Sequence, residues 1–341
     1  MNLLEINNTE FKQNMEILYC FPDNTSSCRK EVRSGPGNIL LFIVLSCVSV
    51  CTVFLNLLVI ISISHFKQLH TPTNLLILSL AVADLLVGLI VMPMDIMLLI
   101  DSCWYLGNLA CCILVVINFL SMSASLCSLV FIAVDRYIAV CDPLLYSTRV
   151  TVCKTILFII LGWSFAAFYV IMFCYFNDNL LPSQISSSCN GECVVAMKYS
   201  WVVLDLVVSF LTPCSVILVL YSIIFKVARR QAKAVRAVKI GISNNYGPND
   251  SSHVETKAAK KLGTVIFVYL ACWIPFYLSS LSVENLTSES MVWTVFGWLV
   301  LMNSSVNPLI YAVFYSWFRA SCKCIVTCRV FESSSSRFKL F

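Results

Sequence analysis

Seven stretches of this chain run long with almost no charge: residues 39–64, 73–100, 108–134, 155–176, 199–225, 262–283 and 291–315. Each is near or above the ~20 residues an α-helix needs to cross a bilayer. The segments between them vary in length, the longest being the loop between Lys226 and Lys261. The pattern predicts an all-α membrane protein, a seven-helix transmembrane bundle. Residues 1–38 form a tail, 39–314 the helical domain, and 315–341 a short amphipathic helix and a second tail. An odd number of spans puts the two ends on opposite sides of the membrane.

Composition fits lipid as the main solvent: 59% of residues are hydrophobic and 12% charged. Basic residues set the orientation, because short cytoplasmic segments retain Lys and Arg. With the N-terminus outside, the outer segments hold Lys12, Arg29, Lys30, Arg33 and Lys198, and the other 18 of 23 basic residues fall inside. The net charge of +5 then reports inner-leaflet lipid and a cytosolic partner, and no aromatic-basic strip suggests nucleic acid. The polar first 38 residues lack an apolar signal core, so the first span is expected to direct insertion. Asn7 and Asn24 fit the glycan acceptor pattern on the outer tail, as does Asn285 in an outer loop.

Most of the 18 cysteines lie in the spans and read as packing residues. Cys20, Cys28, Cys103, Cys111, Cys189 and Cys193 fall at the oxidising face, where the sequence leaves their pairing open. Cys322, Cys324 and Cys328, beside Lys323 and Arg329 at the inner surface, are acylation candidates or ordinary thiols.

A charge near the bilayer centre costs about 2.5–3.5 kcal/mol, so each ionisable residue there needs a partner or a function. Asp84 in the second span has Asn56, Ser125, Asn303 and Asn307 at comparable depth, either a cage for a small cation such as Na+ or a hydrogen-bonded helix register. In the third span Cys111, Asn118 and Ser125 are seven apart, and Arg136 lies about five turns beyond Asn118 on the same face. Asp135-Arg136-Tyr137 closes that span, and Glu255 opens the inner extension of the sixth, a carboxylate suited to clamp Arg136. Such a clamp is either a switch or an inert ion pair.

These residues, with Leu80-Ala81-Val82-Ala83-Asp84, Trp163, Pro213, Tyr221, Cys272-Trp273-Ile274-Pro275 and Asn307-Pro308-Leu309-Ile310-Tyr311, resemble the rhodopsin-like G-protein-coupled receptors over the whole chain. The stretch from Asn303 to Phe318 resembles the seventh-helix signature of the trace amine-associated receptors. The resemblance implies pairing of Cys111 with Cys193 and of Cys28 with Cys189. It also implies a heterotrimeric G protein of stimulatory or olfactory type engaging Arg136, Tyr221, Tyr311 and the basic loop ends, with cyclic AMP rising. The implied location is the plasma membrane, in olfactory cilia by family habit.

The chain departs from its family where the ligand would bind. Aminergic receptors hold the ligand ammonium with an aspartate on the third helix, steadied by a tyrosine on the seventh; here those positions hold Asn118 and Leu301. Asp205, eight residues outward of Pro213 and so about 12 Å along the fifth helix, offers another carboxylate at pocket depth. Ser209 lies one turn further in, and Trp273, Phe276, Tyr277 and Trp298 are read as an aromatic wall favouring a cation. Some trace amine-associated receptors, notably in fish, carry an aspartate at this fifth-helix position, so the expectation is an amine with its ammonium on Asp205. The plainer alternative for Asp205 is a structural or protonated carboxyl. Asp95, eleven residues beyond Asp84, either faces a watery vestibule or the pocket, Pro93 deciding its direction.

Competing functions explain less. A rhodopsin-like receptor for a non-amine ligand centred on Asn118 stays open. A transporter should show repeated halves and broken helices, which are not evident. An enzyme is not expected, since His65, His70 and His253 all fall on the inner side and form no ligand set. No cofactor is expected beyond the possible Na+ at Asp84.

Overall fold

The computed structural model describes residues 18–30, 35–177, 189–193, 197–242, 267–281 and 291–328. Among these, five helices are long and apolar enough to cross a membrane, and two shorter apolar helices, Phe267–Leu281 and Thr294–Ile310, complete the bundle. We number them α1 (Pro36–His65), α2 (Pro72–Asp101), α3 (Gly107–Cys141), α4 (Val152–Phe176), α5 (Tyr199 to Ile242), α6 (Phe267–Leu281) and α7 (Met291–Phe314). A further helix, α8 (Ser316–Val326), follows at the Arg136 end, burying Trp317 and Phe318 while Lys323 stays exposed. Sequence spacing alone starts α1 and α2 within three residues of these limits.

Helix ends follow local chemistry. Thr71 caps α2 by accepting the Asn74 N–H, with Pro72 at the first helical position where no donor is missed. Thr151 caps α4 in the same way through the Lys154 N–H. α3 forms the centre, packing against α2, α4 and α5, while α7 packs on α1 and α2. Outward faces are apolar, as at Leu40, Val50 and Phe54 of α1 and Leu157, Phe165 and Phe168 of α4, the arrangement of helices solvated by lipid.

Prolines explain the irregular turns that shape the interior. α2 widens at Val87–Val91, where the Met92 N–H reaches back five residues to Val87 O, and α5 widens at Leu206–Leu211, where the Thr212 N–H reaches Val207 O. Pro93 and Pro213 follow immediately. Proline has no N–H and its ring crowds the preceding turn, so carbonyls lose their helical partner. Neighbouring helices supply replacements: Ser49 Oγ donates to Gly88 O at 2.9 Å, and Tyr269 OH donates to Ser209 O at 3.3 Å. Likewise Asn56 Nδ2 donates at 3.1 Å to Ser304 O, four residues before Pro308. An unmatched carbonyl would be costly in hydrocarbon, so these bonds keep the wide turns tolerable.

The opposite end from Arg136 is tied covalently. Residues 18–30 fold into a turn, with Cys20 N–H on Cys28 O at 2.9 Å and Lys30 N–H on Leu18 O at 2.8 Å. Disulfides join Cys20 to Cys103, Cys28 to Cys189 and Cys111 to Cys193. Lys30 Nζ also meets Asp101 at 3.0 Å, and that hydrogen bond holds the Lys30 ammonium above its ordinary range.

Candidate ligand-binding site

Between α2, α3, α4, α5, α6 and α7 lies a cavity of about 180 Å³. A cavity of roughly 150 Å³ accommodates benzene, so the space suits a small ligand. Asp205 opens onto it at the start of the wide turn of α5. Each of its carboxylate oxygens is held by a phenol: Tyr169 OH of α4 donates to Oδ1 at 2.5 Å, and Tyr277 OH of α6 donates to Oδ2 at 2.9 Å. Ser209 Oγ donates to the Tyr169 hydroxyl at 3.3 Å. A carboxylate has about four lone-pair sites, so two remain for a ligand. Among the described residues Asp205 has no basic partner.

Trp273, Phe276 and Tyr277 form one wall, with the Trp273 and Tyr277 rings stacked at 5.7 Å and Phe276 edge-on to both. Asn118, Leu301 and Asp95 also line the cavity. The buried Asn118 Oδ1 and Trp273 Nε1 have no hydrogen-bond partner. Trp298 is not among the residues that line the cavity; it is buried in an apolar cluster with Val91, Leu99, Leu114 and the cavity residue Leu301. The reason is helical phase. Gly297, Val300 and Leu301 face the cavity, and Trp298, one residue past Gly297, points about 100° away.

Deeper in, Asp84 is fully buried and accepts from Asn307 Nδ2 at 2.8 Å and Ser125 Oγ at 3.4 Å. Asn303 is buried on α7. At the far end of α3, Arg136 Nη2 meets Asp135 Oδ2 at 2.6 Å and also bonds Thr73. The same Asp135 accepts from Thr73 Oγ1 and from Tyr146 OH, each at 2.8 Å. Tyr221 packs partly buried within electrostatic reach of Arg136.

The pattern of the family described as 7 transmembrane receptor (rhodopsin family) matches residues 55–311. This chain belongs to the rhodopsin family of receptors. Its relatives include trace amine-associated receptor 13c of Danio rerio, 41% identical over 95% of this chain and 96% of that one. Trace amine-associated receptor 6 of Pan troglodytes is 38% identical, with the same coverage of both chains, and receptor 4 of Mus musculus is 35% identical over 95% of this chain and 96% of its own. A receptor of this family, and not an enzyme, is therefore a multi-pass plasma-membrane protein that takes a ligand and a G protein.

Several residues of this receptor escape sequence reasoning. Tyr169 lies in an apolar helix and Tyr146 in a short connecting helix, with no spacing that marks their partners. Thr73 is likewise an ordinary helix-start threonine. Of the six cysteines at the disulfide end, Cys20 and Cys103 form a bridge that the resemblance did not name. Asn24 is exposed, and its Oδ1 accepts from the Ser26 N–H at 2.9 Å. Cys322 and Cys324 are part-buried free thiols on α8, and Cys328 is an exposed one. Asn7, Asn285 and Glu255 lie outside the described residues, as does the side chain of Tyr311 on α7.

Proposed function

We propose that this receptor senses small amines, with the ligand ammonium bound at Asp205. One observation carries it: a carboxylate oriented by two phenols opens into a compact aromatic-walled cavity with no basic residue among the described ones to neutralise it. Relatives named for trace amines support the same ligand class. The aromatic wall adds cation–π attraction, on the order of 0.5–2 kcal/mol.

In this reading residues 1–38 form a glycosylated outer tail carrying Asn7 and Asn24, 39–314 the membrane domain, and 315–341 an inner helix and tail with Cys322, Cys324 and Cys328 open to acylation. Ligand bias on Trp273 and the Pro275 kink moves the inner end of α6 away from Arg136 and admits a stimulatory-type G protein. The ligand drives this only by binding that state more tightly. Tyr221, Tyr311 and Glu255 belong to the same switch. Asp84, Ser125 and Asn303 offer the hard oxygens that suit Na+, and a buried carboxylate with no ion-pair partner among the described residues favours a cation there. Olfactory cilia are the expected location.

A neutral hydrogen-bond donor seated on the unpartnered Asn118 Oδ1 is the competing reading. Cyclic AMP responses of expressing cells to a panel of small amines separate the two. Asp205→Ala at normal surface expression is expected to abolish them; unchanged potency would sink the amine assignment.

A further inference from the structure

Asp95 sits in the same cavity as Asp205, and its carboxylate is differently placed. The wide turn at Val87–Val91 and the following Pro93 change the phase of the outer part of α2 relative to the inner part that carries Asp84. Asp95 lines the cavity alongside Asn118 and Leu301. No hydrogen bond or ion pair satisfies Asp95 among the described residues. One turn and a half further out, Asp101 is held by Lys30 and Tyr105, so the nearby basic residue is committed elsewhere. Of the outer segments beyond the described residues, 178–188, 194–196 and 282–290 contain no Lys, Arg or His, and Lys12 and Arg33 belong to the N-terminal tail.

The cavity therefore combines two carboxylates, an unpartnered amide oxygen on Asn118 and no cation from the described residues. Two like charges in one low-dielectric space repel, and each is costly alone. A single ammonium relieves only Asp205. Leu301, Val300, Phe276 and Met122 supply apolar wall, which suits a methylene chain better than bulk water.

We propose that Asp95 is a second cation subsite and that the preferred ligand is a dication, an α,ω-diamine or an amine with a second protonated nitrogen, spanning Asp205 and Asp95. The proposal rests on the amine assignment at Asp205. One end sits in the phenol-framed carboxylate, the other on Asp95, and Asn118 Oδ1 accepts an N–H from the ligand.

The test is binding of matched probes, 1-aminopentane and 1,5-diaminopentane with their shorter and longer homologues, to the full-length receptor in lipid nanodiscs. Wild type should favour the diamine by roughly 10- to 100-fold, the range of one charge-assisted hydrogen bond. Asp95→Asn should collapse that ratio towards unity, whereas Asp205→Asn should weaken both series. Equal affinity of wild type for the pair overturns the proposal without any variant, and so does a ratio that survives Asp95→Asn. If Asp205→Asn weakens monoamines while the diamine shows no advantage, the second subsite falls and the amine assignment stands. If Asp205→Asn weakens neither series, or wild type binds neither, both fall.

Discussion

Asn118 occupies the position where a third-helix acid would stand, and returning that acid is a strong test of how the cavity holds charge. Asp205→Asn removes a carboxylate that, about 4 Å from an ammonium at an effective dielectric of ~20, contributes about 4 kcal/mol, close to three decades of affinity. Asn118→Asp in that background places a carboxylate of nearly the same shape on α3, in the same cavity and where the amide oxygen already lacks a partner. The double variant is therefore expected to recover much of the lost monoamine affinity. In the wild-type background the gain should be far smaller, at most about tenfold, because a third acid in the cavity raises the repulsion that the ligand must offset. Monoamine concentration–response curves for all four receptors, normalised to surface expression, give the coupling directly. An Asp205→Asn receptor within threefold of wild type, or a well-expressed double variant that stays silent, would refute the reasoning.

Other perturbations probe the rest of the bundle. Asp84→Asn should remove any dependence of amine affinity on NaCl against choline chloride; a salt response surviving the change rules out Na+ at that site. Tyr146→Phe deletes the 2.8 Å bond to Asp135, a charge-assisted contact of about 1.5–3 kcal/mol, and should raise basal cyclic AMP several-fold by loosening the Arg136 end. Unchanged basal signalling would show that this bond holds equally in both states. Gly88→Ala puts a Cβ 2.9 Å from Thr52 Cγ2, so α1 and α2 must separate slightly, at a cost of about 1–3 kcal/mol and a lower melting temperature of the purified receptor. No shift in melting would mean that the close approach is slack.

Much of the architecture is legible in the sequence because lipid imposes one rule on long apolar runs, which must become helices. The depth of Asp205 follows from its spacing to Pro213. Phase within a helix is another matter. Trp298 is aromatic and near the right depth, yet faces away because its direction depends on how α7 sits among its neighbours. Asp95 is the converse: Pro93 marks a disturbed turn in the sequence but not the resulting direction, and only the folded helix shows Asp95 on the cavity. Tyr169 and Tyr277 reach Asp205 from helices far apart in sequence, so only assembly of α4, α5 and α6 shows that the acid is framed. Cysteine identity likewise limits the disulfides to one end, while their connectivity needs the folded tail.

The wide turns in α2 and α5 divide each helix into two independently phased lengths. Deleting one residue within such a turn would rotate everything on its outer side by about 100° and leave the inner length in place. A lineage of receptors could thus exchange whole faces of the binding chamber by insertion or deletion, with Asp84 and the Arg136 end undisturbed. Chemical taste and transmission become separately heritable along a single rod.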